Sequence, residues 1–83
     1  MTTTYIKHED PGHGWLQVPL GELEELGIRS AISPYSYRDS HFAYLEEDCD
    51  MKRFIIAKGS VCDIQYTHTN HDSFIRKLNS INY

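Results

Sequence analysis

With 83 residues and a mass of 9.7 kDa, the chain has room for one core and one small domain, too little to enclose a deep, water-excluded active site. Its 40% hydrophobic and 12% aromatic content, with a net charge of only −4, excludes a solvated disordered coil. No apolar run approaches the roughly 20 residues that cross a bilayer, the start Met1-Thr2-Thr3-Thr4 lacks a secretory pattern, and an acidic balance argues against phosphate-backbone binding; a soluble cytosolic protein with no membrane and no nucleic-acid partner is expected.

Tyr5-Ile6-Lys7-His8 is rich in strand formers, and Trp15-Leu16-Gln17-Val18 reads as a second strand. Between them Asp10-Pro11-Gly12-His13-Gly14 supplies the residues of a tight reversal, so the pair reads as a β-hairpin with a longer loop. Pro19 suits the start of a short helix in which Leu20, Leu23 and Leu26 recur at helical spacing until Gly27 stops it. Pro34 biases Ser33 toward an extended conformation, which puts Tyr35 and Tyr37 on one face of an extended segment.

Arg38-Asp39-Ser40 reads as a turn into the strand His41-Phe42-Ala43-Tyr44-Leu45. Asp48 then serves as an N-cap, Asp50 suits the positive first turn, Met51, Phe54 and Ile55 form an apolar stripe, and Gly59 closes a helix over 50–58. Residues 61–68 alternate, with Cys62, Ile64 and Tyr66 on one face and Asp63, Gln65 and Thr67 on the other, the pattern of a half-buried antiparallel strand. Asp72 or Ser73 can cap a last short helix with Phe74, Ile75 and Leu78 turned inward, and residues 79–83 show no period. The expected architecture is a single α+β domain over 1–83. A three- to four-stranded, mainly antiparallel sheet packs against the 50–58 helix, with one or two short helices besides.

The chemistry-bearing residues are scattered. His8, His13, His41, His68 and His71 lack the spacing of a metal site, the run Glu46-Glu47-Asp48-Cys49-Asp50 lacks the calcium-loop pattern, and no metal or other cofactor is expected. Cys49 lies near a helix start, where a thiol can become a nucleophile, but Glu46, Glu47, Asp48 and Asp50 oppose a thiolate. No nucleophile elbow, P-loop or dinucleotide fingerprint is present, so no catalytic residue is assigned and a non-enzymatic protein is expected. Cys49 and Cys62, with no second pair, read as reduced thiols.

Charge is divided unevenly: residues 1–50 hold three basic and ten acidic side chains, a balance of −7, whereas residues 51–83 balance at +3. Trp15, Tyr35, Tyr37, Phe42 and Tyr44 lie in the acidic half, and aromatics beside carboxylates are residue types that anchor protein interfaces. Trp15 and Phe42 are expected inside, with at least one of Tyr35 and Tyr37 exposed. The expected binding surface is built from His13, Trp15, Tyr35, Tyr37, Glu46 and Glu47, and a host protein with a basic surface is the partner it suits. A nucleotide signal held by His13, the tyrosines and the loop glycines is an alternative, disfavoured by the few Lys and Arg available for phosphate. A small histidine-dependent hydrolase is a second.

Asp10-Pro11-Gly12-His13-Gly14-Trp15-Leu16, Leu26-Gly27-Ile28, Ile32-Ser33-Pro34-Tyr35-Ser36-Tyr37 and Tyr44-Leu45-Glu46-Glu47-Asp48-Cys49-Asp50 together resemble a family of small proteins of unknown function. Members occur in bacteriophages, and related modules lie within larger proteins of plasmids and bacteria. The resemblance covers about residues 5–57. It implies a phage or mobile-element origin, and with it an accessory protein acting in the host cytoplasm that binds and inhibits or redirects a host protein, such as a component of a bacterial defence system. The family carries no assigned catalytic residues, so it supplies no mechanism.

Overall fold

The computed structural model describes residues 3–59 and 62–82; the expected strand start at Val61 and the last residue, Tyr83, lie outside the described residues. The first hairpin is β1 (Thr3–Glu9) and β2 (Gly14–Pro19), closed by the Asp10 N–H donating to His13 O at 2.9 Å. A two-turn helix α1 (Leu20–Glu25) follows Pro19, and a 3₁₀ turn (Arg29–Ala31) leads to β3 (Tyr37–Arg38) and β4 (Phe42–Glu46). Helix α2 (Asp50–Lys58), β5 (Cys62–His68), a second 3₁₀ turn (Phe74–Lys77) and the two-residue β6 (Asn79–Ser80) complete the chain.

The α+β class is as expected, but the sheet is larger than three or four strands. It has six, in the order β5-β1-β2-β4-β3-β6, and it is mixed: β5 runs parallel to β1, while the other neighbours are antiparallel. The direction of β5 follows from α2. A hairpin after β4 would reverse the chain, whereas a helix crossing over one face returns it to the end where β4 began, and β5 starts there. β5 is the strand expected after Gly59, running parallel to its neighbour and not antiparallel, and β6 is the strand not expected, its two residues carrying no readable period.

One face of the sheet carries the main core. Tyr5, Leu16, Val18, Ala43 and Leu45 pack beneath Leu23 and Phe54, with Met51, Ile55 and Ile64 half-buried around them. The stripe on α2 therefore does what its spacing implies, and Phe54 meets Tyr5 edge to face with ring centroids 5.3 Å apart. Gly59 ends α2 at φ 67°, a left-handed conformation that a side chain would strain. Tyr66 lies on the same face of β5 as Ile64 yet is 64% exposed, a departure from its expected inward position. Its partner across β1 is Lys7, whose Nζ lies 5.7 Å from the Tyr66 ring centroid and bridges Glu9 and Glu47, so this end of the face is polar.

The opposite face holds a second cluster of Trp15, Tyr44 and Ile75, with Tyr37, Phe42 and Leu78 packed against it. Trp15 is buried as expected and Phe42 half-buried. The lid is the 3₁₀ turn, not an α-helix. Three residues per turn align Ile75 with Leu78, which turns Phe74 outward to 52% exposure, although its ring still meets His8 and Tyr44 edge to face.

The start of α2 is capped differently from the expectation. Cys49, not Asp48, occupies the N-cap and makes no side-chain cap bond; instead Glu46 Oε2 accepts from Asp48 N at 3.1 Å and Cys49 N at 3.0 Å. Asp50 is fully buried and accepts from Ser33 N, Ser33 Oγ and Ser36 Oγ, while Ser36 Oγ in turn accepts from Glu46 N. These bonds tie the tyrosine loop to the helix start, and the relative placement of Tyr35, Glu46 and Asp48 depends on them.

Candidate functional site

A cleft of about 340 Å³ opens where the hairpin loop, the tyrosine loop and the start of α2 meet. His13, Trp15, Tyr35, Tyr37 and Glu46 line it, which brings together five of the six side chains singled out in the sequence. The strands explain much of this convergence. Trp15 on β2 and Glu46 on β4 are direct cross-strand partners, and Tyr37 on β3 points to the same face, its ring centroid 6.2 Å from that of Trp15. Tyr35 arrives from the turn after Pro34, not from a strand, so the two tyrosines do not share an extended segment; Tyr35 is 68% exposed and Tyr37 half-buried.

Glu47 does not join them. Successive strand residues face opposite ways, and Glu47 turns to the other face, where its carboxylate lies 2.6 Å from Lys7 Nζ. Glu46 is also less available than its sequence position suggests, since its carboxylate caps the turn into α2. Pro34, Asp48, Cys49 and Arg76 complete the lining. Arg76 carries no motif and is brought in by an ion pair with Asp10, far away in the chain.

That pair organises the loop. Asp10 presents a fully buried side chain; Oδ1 accepts from Gly12 N, His13 N and Arg76 Nη2, and Oδ2 accepts from Ser73 N and, at 2.6 Å, from Arg76 Nε. The Arg76 guanidinium, aided by the backbone N–H groups of Ser73, His13 and Gly12, holds the Asp10 carboxyl far below the usual carboxylate range against the opposing effect of burial. The guanidinium also lies over Trp15, 5.5 Å from the ring, so one side chain braces both the loop and the cleft wall. His13 is held by its own backbone, exposed, with its ring 5.9 Å from Trp15.

Because Asp10 neutralises Arg76, the charge left facing the cleft is that of Glu46 and Asp48. Partial desolvation, a hydrogen bond to Glu46 and the charges of Glu46, Asp50 and Asp48 push the Cys49 thiol up, which opposes thiolate formation. Among the described residues, Trp15 Nε1 is a buried side-chain donor with no hydrogen-bond partner. His8 lies apart from the cleft, bonded to Gln17 and packed on Tyr44, while His41, His68 and His71 are exposed. Among the described residues, no three His, Cys, Asp or Glu side chains converge in a way that could hold a metal ion, and no helix is long and apolar enough to cross a membrane. Comparison of the chain with protein-family models, with curated proteins and with solved structures finds no match.

Proposed function

We propose that the chain is a phage or mobile-element accessory protein that works by binding a host protein, its cleft receiving a cationic side chain from the partner's basic surface. The observation that carries this reading is a cleft in which aromatic walls (Trp15, Tyr35, Tyr37) stand beside the carboxylates of Glu46 and Asp48 while the guanidinium that lines it is already paired with Asp10. Aromatic faces and carboxylates both favour a lysine or arginine head, and a cleft of about 340 Å³ suits one side chain with its flanking residues. The same inventory disfavours a nucleotide, whose phosphates would meet two carboxylates and no uncommitted cation.

The test is association and dissociation kinetics with a host protein recovered on the immobilised chain, measured at several ionic strengths. Association is expected to slow as salt rises, and Asp48→Lys should slow it further, by about tenfold at low salt. Glu47→Lys, on the other face of the sheet, should have a smaller effect. Tyr35→Ala should act on the other rate, raising dissociation by about tenfold if the ring packs on the partner. Salt-independent association that ignores Asp48→Lys would leave the acidic cleft without a role.

A further inference from the structure

We propose that the outer edge of β5 is the contact by which two copies of this chain join into one continuous sheet. Among the described residues β5 has β1 on one side and no strand on the other, and it is seven residues long, whereas the opposite edge of the sheet, β6, is only two. Sheet edges are commonly guarded by proline, lysine, a bulge or brevity. The edge Cys62-Asp63-Ile64-Gln65-Tyr66-Thr67-His68 has no proline, lysine or arginine, and it pairs with β1 in unbroken register, so no bulge twists it away.

The sequence of this strand complements itself. In an antiparallel pair of identical strands related by a two-fold axis normal to the sheet, facing residues must lie on the same face, so the axis passes through a residue pair. Placing it at Gln65 engages all seven residues. Ile64 then faces Tyr66 of the second copy, twice, on the face where Ile64 is half-buried and Tyr66 is 64% exposed. On the other face Asp63 meets Thr67, a carboxylate beside a hydroxyl donor, and Gln65 meets its own counterpart, amide to amide. Asp63 is the strand's one acidic side chain, and this register keeps the two copies of it apart, so no like charges oppose each other.

A foreign strand would need none of this internal symmetry, which is why a second copy is the occupant argued for. A seven-residue strand pair is a small interface, so the dimer should be weak, with Kd in the range of about 10–100 μM. The surface is independent of the cleft, since β1 and β2 separate β5 from β4 and β3.

Sedimentation velocity of the full chain from about 1 μM to about 1 mM tests the proposal. The expected result is a concentration-dependent monomer–dimer equilibrium. Gln65 is exposed, so Gln65→Lys and Gln65→Glu should leave the thermal midpoint nearly unchanged while each raises Kd at least about tenfold, because like charges then meet on the axis. An equimolar mixture of the two variants should dimerise again. Tyr66→Lys, which sets a charge against Ile64, provides a second disruption should either variant melt early. A native chain that stays monomeric to about 1 mM, a dimer indifferent to these changes, or a mixture that fails to recover would each overturn the proposal; the first would leave the edge for an extended segment of a different protein.

Discussion

Replacing Phe54 with alanine is expected to lower stability by about 3–5 kcal/mol, most of what a domain of this size has to spare. The ring is fully buried, stands edge to face with Tyr5 and packs on the residues of β2 and β4 that line the main core. No other apolar side chain of α2 is fully buried, so a small shift of the helix brings none into the cavity. Ile56→Ala, two residues along the same helix at 68% exposure, is the matched control and should cost less than about 0.5 kcal/mol. Chemical denaturation of the three proteins decides it, and equal midpoints would remove Phe54 from the core.

Asp10→Asn should lower the thermal midpoint at pH 7 by about 8 °C or more, and the loss should shrink as the solution is acidified. The sign follows from the direction of the shift. Arg76 and three backbone N–H groups hold the folded Asp10 below its unfolded value, so its stabilising contribution is present above the unfolded pKa of about 4 and is lost as pH falls from there toward the folded value. The asparagine variant lacks that contribution at every pH. Its melting profile from pH 7 to pH 2 should therefore run flatter than the native one, and the gap should narrow toward the acid end without closing, because the folded Asp10 is held below that range. Some slope should remain in both, because Asp39 is likewise held low by the N–H groups of His41 and Phe42 and by the Tyr44 hydroxyl, burial notwithstanding. Parallel profiles would show that Asp10 does not carry the acid sensitivity.

What the sequence revealed and what it hid divide along a physical line. The helix over 50–58, the hairpin around Asp10 and the half-buried strand after Gly59 all rest on local signals: a stripe, a turn, an alternation. Alternation says which residues share a face but not which way a strand runs, so the parallel pairing of β5 with β1 was not legible. The same rule, applied across the end of β4, separates Glu46 from Glu47; treating the acidic run as one patch missed this. Asp48 resembles a cap in composition, yet Glu46 reaches the free amides first and Asp50 is drawn inward by two serines. Arg76 had no local signal at all, because its meaning depends on Asp10, on the first hairpin, which only the fold brings near.

The pairing of β1 with β5 bears on the order in which the molecule is made. Thr3 finds its partner at Cys62, Asp10 at Arg76, and Arg29 donates to the carbonyl of Ile81, so the first segments of this domain are completed by its last ones. A nascent chain that has emerged only as far as α2 holds β1, β2 and β4 but lacks the strand that covers one side of β1 and the turn that covers Trp15. Contacts so distant in sequence make this domain slower to fold than a helical one of the same size. Trp15 is the chain's one tryptophan and is enclosed by Arg76 and Ile75 from that final segment. Its fluorescence therefore marks the closing event of folding, and the cleft acquires its wall only at that moment.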